Sequence, residues 1–397
     1  MREMTAGFDL IWRKSLGWIF FSTTVIGYGS VFYLMLNRGQ FNEFTPYTFF
    51  NFAIGFFLIV FVAKLVFGTF HLLNDLLNGA RFLIAKWSTT NSDISVQPHE
   101  RMTRWQFFNQ LGLGATVLMV GSMVYGVTKG KFGYRIEKET ILFPDLPEAF
   151  DGVRIVHISD MHLGSFDENF EAVAPAFKMI NELEPDFIFF TGDLVNNFSH
   201  EAEAWKPYLS GLRAKSGKFS ILGNHDYGDY AMADQPEKKA KSFNRVCEIH
   251  GEAGFRLLRN ENVRLERNGE SIALMGTENW GIGFHQYGDL AKTKDGVDPA
   301  SFKIMLSHDP TFWQEHLLGK EPVHLTLSGH THGAQFGLEL PQFGIKFSPV
   351  SLRYKRWGGL YTEGSQHLYI NRGFGYLAFP GRVGMPPEIT LIELKKG

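Results

Sequence analysis

Cysteine is nearly missing from this chain. Cys247 stands alone, so no intrachain disulfide can form, which fits a cytosolic domain and equally a bacterial periplasmic one. A lone thiol of this kind reads as a small packed hydrophobe. Excess charge is missing too: 39 Lys and Arg face 41 Asp and Glu, a formal net charge of -2. That balance argues against nucleic acid as a partner, and nothing in the sequence points to a protein partner. Charge is scarcest in particular places. The first third of the chain holds long stretches almost free of Asp, Glu, Lys and Arg, and 18 of the 38 Phe lie there.

Three such stretches are long enough to cross a bilayer, whose core of about 30 Å needs about 20 helical residues. They are Leu16–Leu36, Tyr47–Phe67 and Phe107–Val127. A cleaved signal peptide is the rival reading of the first, but the run is long and no small-x-small cleavage site follows it. Lys64 interrupts the second near its end, where a lysine is expected to snorkel to the interface. Beyond it, Leu72, Leu73, Leu76, Leu77, Phe82, Leu83 and Ile84 mix with His71, Asn74, Asp75, Arg81 and Lys86. That pattern predicts an amphipathic helix over 69–87 lying on the membrane, with an extra span as the alternative. Ser88–Thr103 is polar, contains Pro98 and reads as a loop. Gly112, Gly114 and Gly121 in the third run would let membrane helices pack closely.

Basic residues orient the spans. Arg2, Arg13 and Lys14 precede the first, and Arg81, Lys86, Arg101 and Arg104 lie between the second and third. Three spans then make an integral, multi-pass inner-membrane protein whose chain after Val127 is extracytoplasmic. A fourth span would reverse that side, and Lys129, Lys131, Arg135 and Lys138 pull the same way, toward the cytoplasm. The spans offer few polar residues, which argues against a transporter. The division expected is a transmembrane helical region over 1–130, a linker over 131–149 containing Leu146-Pro147-Glu148, and a soluble domain over 150–397.

In the soluble part, short apolar runs of strand length recur: Val153–Ile158, Phe187–Phe190, Phe219–Leu222, Ile272–Met275, Phe302–Leu306, Val323–Leu327, His367–Ile370 and Ile389–Leu394. Helical stretches over Glu168–Leu183, Glu201–Leu212 and Glu237–His250 separate the early ones. This order implies an α/β domain of layered sheets flanked by helices. Five of the runs end alike. They are followed by Ser159-Asp160-Met161-His162, Thr191-Gly192-Asp193, Gly223-Asn224-His225-Asp226, Ser307-His308-Asp309 and Gly329-His330-Thr331-His332. Loop polarity alone does not explain why every turn carries His, Asp or Asn and none carries Lys, Arg, Glu or Gln. In α/β sheets the C-terminal strand edge is where sites are built.

Asp160 and Asp193 offer carboxylate oxygen, Asn224 an amide oxygen, and His162, His308, His330 and His332 ring nitrogen. Seven mixed donors suit two borderline divalent ions such as Mn, Fe or Zn better than one hard ion. Two ions a few ångströms apart need a bridging carboxylate, for which Asp193 is the natural choice if it lies between the groups, and they share a water that becomes the nucleophile for attack at phosphorus. His225 is placed to give a proton to the leaving oxygen, and Asp226 could orient it. Arg372 and Arg382 sit in glycine-rich loops, where an arginine can grip phosphate; a structural role stands beside that reading. Tyr227 and Tyr230 either line the cleft or pack. His157, His200 and His250 have no motif around them and read as structural or exposed.

The order Asp-x-His, Gly-Asp, Gly-Asn-His-Asp, His, Gly-His-x-His across Val153–Gly333 resembles the calcineurin-like metallophosphoesterase superfamily. The resemblance implies a four-layer αββα sandwich preceded by an α-helical transmembrane region, and hydrolysis of a phosphate-containing substrate with two divalent metal ions. It implies that one ion takes Asp160, His162, Asp193 and His332, that the other takes Asp193, Asn224, His308 and His330, and that His225 is the catalytic histidine. The N-terminal spans are similar to those of a membrane-anchored branch that includes transmembrane metallophosphoesterases and enzymes cleaving UDP-diacylglucosamine. A lipid-linked substrate is therefore expected, with a soluble phosphodiester or a non-catalytic metal-stabilised module as alternatives. Many relatives carry Asp where this chain has Asn196, a position that is usually not a ligand.

Overall fold

The computed structural model describes residues 10–37, 47–87 and 104–397. The loop expected over 88–103, with Arg2 and Arg101, lies outside the described residues. The chain divides into two compact units, one holding most of three long helices up to Tyr125 and the other holding Glu43–Asn51 and Gly126–Gly397.

The helices of the first unit are α1 (Leu10–Leu36), α2 (Tyr47–Trp87) and α3 (Arg104–Thr128), each long and apolar enough to cross a membrane. Large apolar side chains such as Trp18, Phe32, Phe52, Leu65 and Leu118 point outward, as lipid-facing residues do. The separate amphipathic helix expected over 69–87 is not a separate element. α2 runs unbroken for 41 residues, because no proline interrupts it and Gly68 and Gly79 each weaken a helix by only about 1 kcal/mol. At 1.5 Å per residue it is about 60 Å long, roughly twice a bilayer core. Lys64 sits within α2, not at a helix end. Its ammonium is satisfied within the unit by the Thr24 hydroxyl, the Phe20 carbonyl and the Phe20 ring. Of the three glycines expected to aid packing, Gly112 meets a neighbour, with Phe70 pressed against the position a Cβ would take, while Gly114 and Gly121 face open space.

The second unit is built on two six-stranded sheets. The first orders as β1 (Arg135–Phe143), β14 (Glu388–Lys396), β2 (Arg154–Ile158), β3 (Phe187–Phe190), β4 (Gly217–Ser220) and β5 (Arg256–Leu257). The second orders as β12 (Gly359–Glu363), β13 (Gln366–Ile370), β9 (Leu325–Ser328), β8 (Lys303–Leu306), β7 (Glu270–Gly276) and β6 (Glu261–Arg267). A two-stranded ribbon, β10 (Leu338–Leu340) with β11 (Ile345–Phe347), stands apart. The stretch 131–149 is not a linker: it carries β1, which pairs in parallel along its whole length with β14. Its charged edge-strand sequence hides it, since among its apolar residues only Ile141 and Phe143 are buried.

Period-two alternation sets the layers. In β3, Phe187 and Phe189 enter the core between the sheets, while Ile188 and Phe190 face the helices. In β8, Ile304 and Leu306 enter the same central core and Met305 faces outward under Phe312, Trp313 and Leu317. Each such side chain, fully buried, contributes roughly 1.5–3 kcal/mol. The helical side is covered by α4 (Phe170–Glu182), α5 (Lys206–Ser210) and α7 (Pro236–Glu252), with the short α6 (Asp229–Met232) before α7. Helix α4 buries Val173, Ala176, Phe177 and Ile180, one stripe at helical spacing, and the Asn169 side chain caps it by accepting from the Ala172 amide. The outer face of the second sheet carries a helical turn at Trp313–Leu317. The αββα order expected of the sequence is therefore present. β2, β3, β4, β8 and β9 all run toward one rim, and the five ligand-bearing turns leave from it.

Candidate metal centre

Two groups of side chains meet at this rim: Asp160, His162 and His332 form one, and Asp193, His308 and His330 the other. All six come from the turns after β2, β3, β8 and β9. In the first group His332 Nε2 lies 3.2 Å from Asp160 Oδ1 and 3.1 Å from His162 Nε2. In the second, His308 Nε2 lies 3.2 Å from Asp193 Oδ2 and 3.3 Å from His330 Nδ1. The groups share an atom: Asp193 Oδ2 is also 3.4 Å from His162 Nε2.

The backbone works to hold this arrangement. Asp160, His162, Asp193, His330 and His332 all have positive φ, between 44° and 70°. A non-glycine residue there costs roughly 1–2 kcal/mol, so five together are kept only by surrounding packing and hydrogen bonds. The amide of His330 donates to both carboxylate oxygens of Asp160, which ties the two sheets together at the site. That closeness requires glycine at 329, where a Cβ would lie 1.9 Å from Ser159 Oγ and 2.2 Å from Asp160 Oδ2. His308 Nδ1 donates to the Thr191 carbonyl, aiming Nε2 inward. His330 Nε2 meets the Tyr354 hydroxyl at 2.9 Å and Asp309 Oδ2 at 3.4 Å, leaving Nδ1 to face His308. Second partners of this kind fix ring orientation in metal sites.

The donor set fits divalent cations. Facing imidazole nitrogens 3.1 Å and 3.3 Å apart repel unless a proton or a cation lies between them. Burial holds His162 and His330 below the usual histidine range, in the neutral form that ligates. Burial also opposes charge on Asp193, but His308 and His225 outweigh it and hold the carboxyl well below its ordinary range. Against its own burial, His308 is lifted to about 10 by Asp193 and Asp160. The pocket thus draws in positive charge. Asn224 points the same way: its amide nitrogen donates to the Tyr230 hydroxyl, and its buried Oδ1 has no partner among the described residues. A buried amide oxygen without a donor is costly, and coordination would satisfy it.

His225 sits beside the first group, its ring edge-on to His162 at 5.0 Å. Nδ1 lies 2.6 Å from the Asn196 carbonyl, which can only accept, so Nδ1 carries a proton and Nε2 is left to exchange one. Asp226, expected to orient His225, does something else. Its carboxylate accepts from the amides of Asp193, Leu194, Val195 and Gly223, so it braces the turns that carry Asp193 and Asn224. Burial and nearby Asp193 push Asp226 up to about 7.

The arginines also differ from the phosphate-gripping expectation. Arg372 is held by Glu388 at 2.6 Å and Glu339 at 2.8 Å. Arg382 is buried and donates to the carbonyls of Arg372, Gly373 and Gly375, with Nη2 3.3 Å from His332 Nδ1. Their guanidiniums are engaged within the protein. The tyrosines separate: Tyr227 is buried and stacked on Tyr287, while exposed Tyr230 lies 4.7 Å from the His225 ring and lines the cleft. His157 is buried on Thr191, His250 is buried against Phe190, and Cys247 packs half-buried, its thiol pushed up to about 11 by burial. Asp309, Tyr354 and Glu201 emerge only here. Glu201 accepts from the amides of Asn196, Asn197 and Phe198 and so fixes the loop whose carbonyl holds His225. No motif marks Tyr354 or Glu201 in the sequence, and Asp309 could be suspected only from its place beside His308.

Comparison with known proteins agrees with this geometry. Residues 153–334 match the profile of the calcineurin-like phosphoesterases, and residues 5–131 that of a probable calcineurin-like phosphoesterase transmembrane domain. The chain is 34% identical to an uncharacterized metallophosphoesterase, YkuE, of Bacillus subtilis, over 75% of this chain and 99% of that one. It is 33% identical to the UDP-2,3-diacylglucosamine pyrophosphatase LpxG of Chlamydia trachomatis, covering 63% of this chain and 86% of the other. It is 30% identical to the phosphodiesterase YaeI of Escherichia coli, covering 61% and 82%. The chain belongs to the calcineurin-like metallophosphoesterase family, and its site is that of a metal-dependent phosphoesterase. The helices and the transmembrane profile mark it as a membrane protein.

Proposed function

We propose that the protein is a multi-pass inner-membrane phosphohydrolase with a dinuclear centre. One ion would be held by Asp160, His162, Asp193 and His332, and the other by Asp193, Asn224, His308 and His330. The observation that carries this reading is the position of Asp193 Oδ2, 3.4 Å from one histidine and 3.2 Å from another in the opposite group. When bound, two divalent ions would supply neutralisation of phosphoryl oxygens and acidification of a water. The reaction is hydrolysis: the water gives one proton to solvent, its oxygen bonds to phosphorus, the bond to the leaving oxygen breaks, and that oxygen takes the proton on His225 Nε2, which solvent then restores. The Asn196 carbonyl keeps the ring in place. Asp226, Arg372 and Arg382 hold the loops.

A substrate with a lipid tail, such as a lipid-linked pyrophosphate like that named for the Chlamydia trachomatis relative, suits this site. Tethering an enzyme to the bilayer raises its effective concentration toward such molecules. A second reading is a phosphodiester, the substrate class in the name of the Escherichia coli relative, here in soluble form. The full-length protein, loaded with Mn, Fe or Zn in nanodiscs, should cleave UDP-diacylglucosamine at least about tenfold more efficiently than bis-p-nitrophenyl phosphate, a difference of about 1.4 kcal/mol in barrier. A preference for the soluble diester refutes the lipid reading, and two bound ions without turnover of either would favour a metal-stabilised binding module. The catalytic unit would lie outside the cytoplasm, a side that the basic residues before the first span and between the second and third support, and activity of a C-terminal reporter that works only in the cytoplasm would overturn it.

A further inference from the structure

The β10–β11 ribbon is amphipathic the wrong way round for a protein in water. Its register pairs Leu338 with Phe347, Glu339 with Lys346 and Leu340 with Ile345. Cross-strand partners share a face, so one face is Leu338, Leu340, Ile345 and Phe347 and the other is Glu339 and Lys346. The polar face is the one fastened to the domain. Glu339 pairs with Arg372, and Lys346 donates to the Gly358 carbonyl and lies over the rings of Trp357 and Tyr361. The apolar face is turned out.

The exposure is concentrated. Phe343 at the tip is 71% exposed and Leu352 in the following turn 90%, with Leu338, Ile345 and Phe347 exposed beside them. Among the described residues of Gly126–Gly397, the other large apolar side chains so exposed are Leu142, Tyr230 and Ile282. Ile282 adjoins the same region, since Arg353 donates to its carbonyl. Exposed Arg353 and Lys355 follow the apolar turn. Large apolar side chains edged by cations are the chemistry of a surface that meets anionic lipid headgroups. The ribbon is also bound to the metal centre. It begins shortly after His332, Ser348 donates to the Gly333 carbonyl, and the chain leaving it delivers Tyr354 to His330.

We propose that the 338–352 segment is a bilayer-docking surface, inserting Phe343 and Leu352 into the headgroup and acyl boundary of the membrane in which the chain's own helices reside. The inference stands on the ribbon and on membrane residence, and does not depend on which phosphoester is cleaved. The test uses the full-length protein in vesicles of phosphatidylethanolamine and phosphatidylglycerol. Spin labels are placed by Phe343→Cys, Leu352→Cys and, as an aqueous reference, Lys215→Cys, each in a Cys247→Ala background. The labels at 343 and 352 should collide with dissolved oxygen several-fold more often than with a water-soluble nickel chelate. Collision with the chelate as frequent as at 215 overturns the proposal. Dipolar broadening between labels at 343 also overturns it, because a second copy of the chain would then cover the face. Both positions are exposed, so label placement does not disturb the core.

Discussion

Replacing His225 by alanine separates proton donation from metal holding. The ring is anchored by Nδ1 to the Asn196 carbonyl and belongs to neither metal-ligand group. Asp193 Oδ1 accepts from the backbone amide of residue 225, a bond that alanine keeps. Both ions should therefore stay. The fold should lose about 1 kcal/mol at most, since one half-exposed hydrogen bond disappears and water can reach the carbonyl. Turnover should fall by about 10²–10⁴, the usual contribution of a general acid, equal to roughly 3–5 kcal/mol of barrier. The loss should depend on the leaving group. An alkoxide needs the proton, whereas p-nitrophenolate leaves without one, so the variant should be impaired about tenfold or less on a p-nitrophenyl ester. The assay is kcat for a matched pair of alkyl and p-nitrophenyl esters, with metal content measured on the same samples. An equal loss on both esters, or loss of an ion, would refute proton donation by His225.

Asp193→Ala should lose both ions, because one oxygen faces His162 and His308 together; elemental analysis showing two metals per chain would sink the bridging assignment. Gly329→Ala should displace Asp160, whose Oδ2 lies 2.2 Å from the new methyl position, and weaken metal binding by about tenfold or more in a metal titration, as loss of supporting contacts does elsewhere. Glu201 predicts a pH effect. Burial, against the pull of three amides, raises its carboxyl to about 7 from 4.5. A raised folded value means stability is fully present below the unfolded value and is lost as pH rises through about 7, by ~3 kcal/mol for this group. Thermal melts of Glu201→Gln should show a flatter pH dependence between 5 and 8 than wild type, and an unchanged slope would refute the shift.

The chemistry-bearing turns were legible because each is local. A short apolar run such as Phe187–Phe190 must be a buried strand, and the residues that follow it must emerge at its end. The helical periodicity of α4 and α7 was legible for the same reason. β1 was not, because an edge strand reading Arg-Ile-Glu-Lys-Glu declares itself only when β14 lies alongside. Nor was the single long α2, where a change in surface pattern looked like a change of element although nothing in the backbone broke the helix. Asp226 was misjudged because adjacency in sequence suggested a contact with His225, while the turn directs its carboxylate back to four amides. For the arginines the sequence leaves a phosphate grip and a structural role both open, because their partners, Glu339, Glu388 and several carbonyls, come from other segments.

The sequence by itself determined the donor atoms, their order and the membrane-compatible helices, since these depend on residue identity and on spacing within one element. Only the tertiary structure decided which of these side chains meet. His162 and His308 come from different sheets, and they reach the same oxygen of Asp193 because packing of the central core holds the rims of both sheets together. It also decided that the 338–352 ribbon turns its apolar face outward, because the choice between two faces of a ribbon is made by the side chains that happen to meet Glu339 and Lys346.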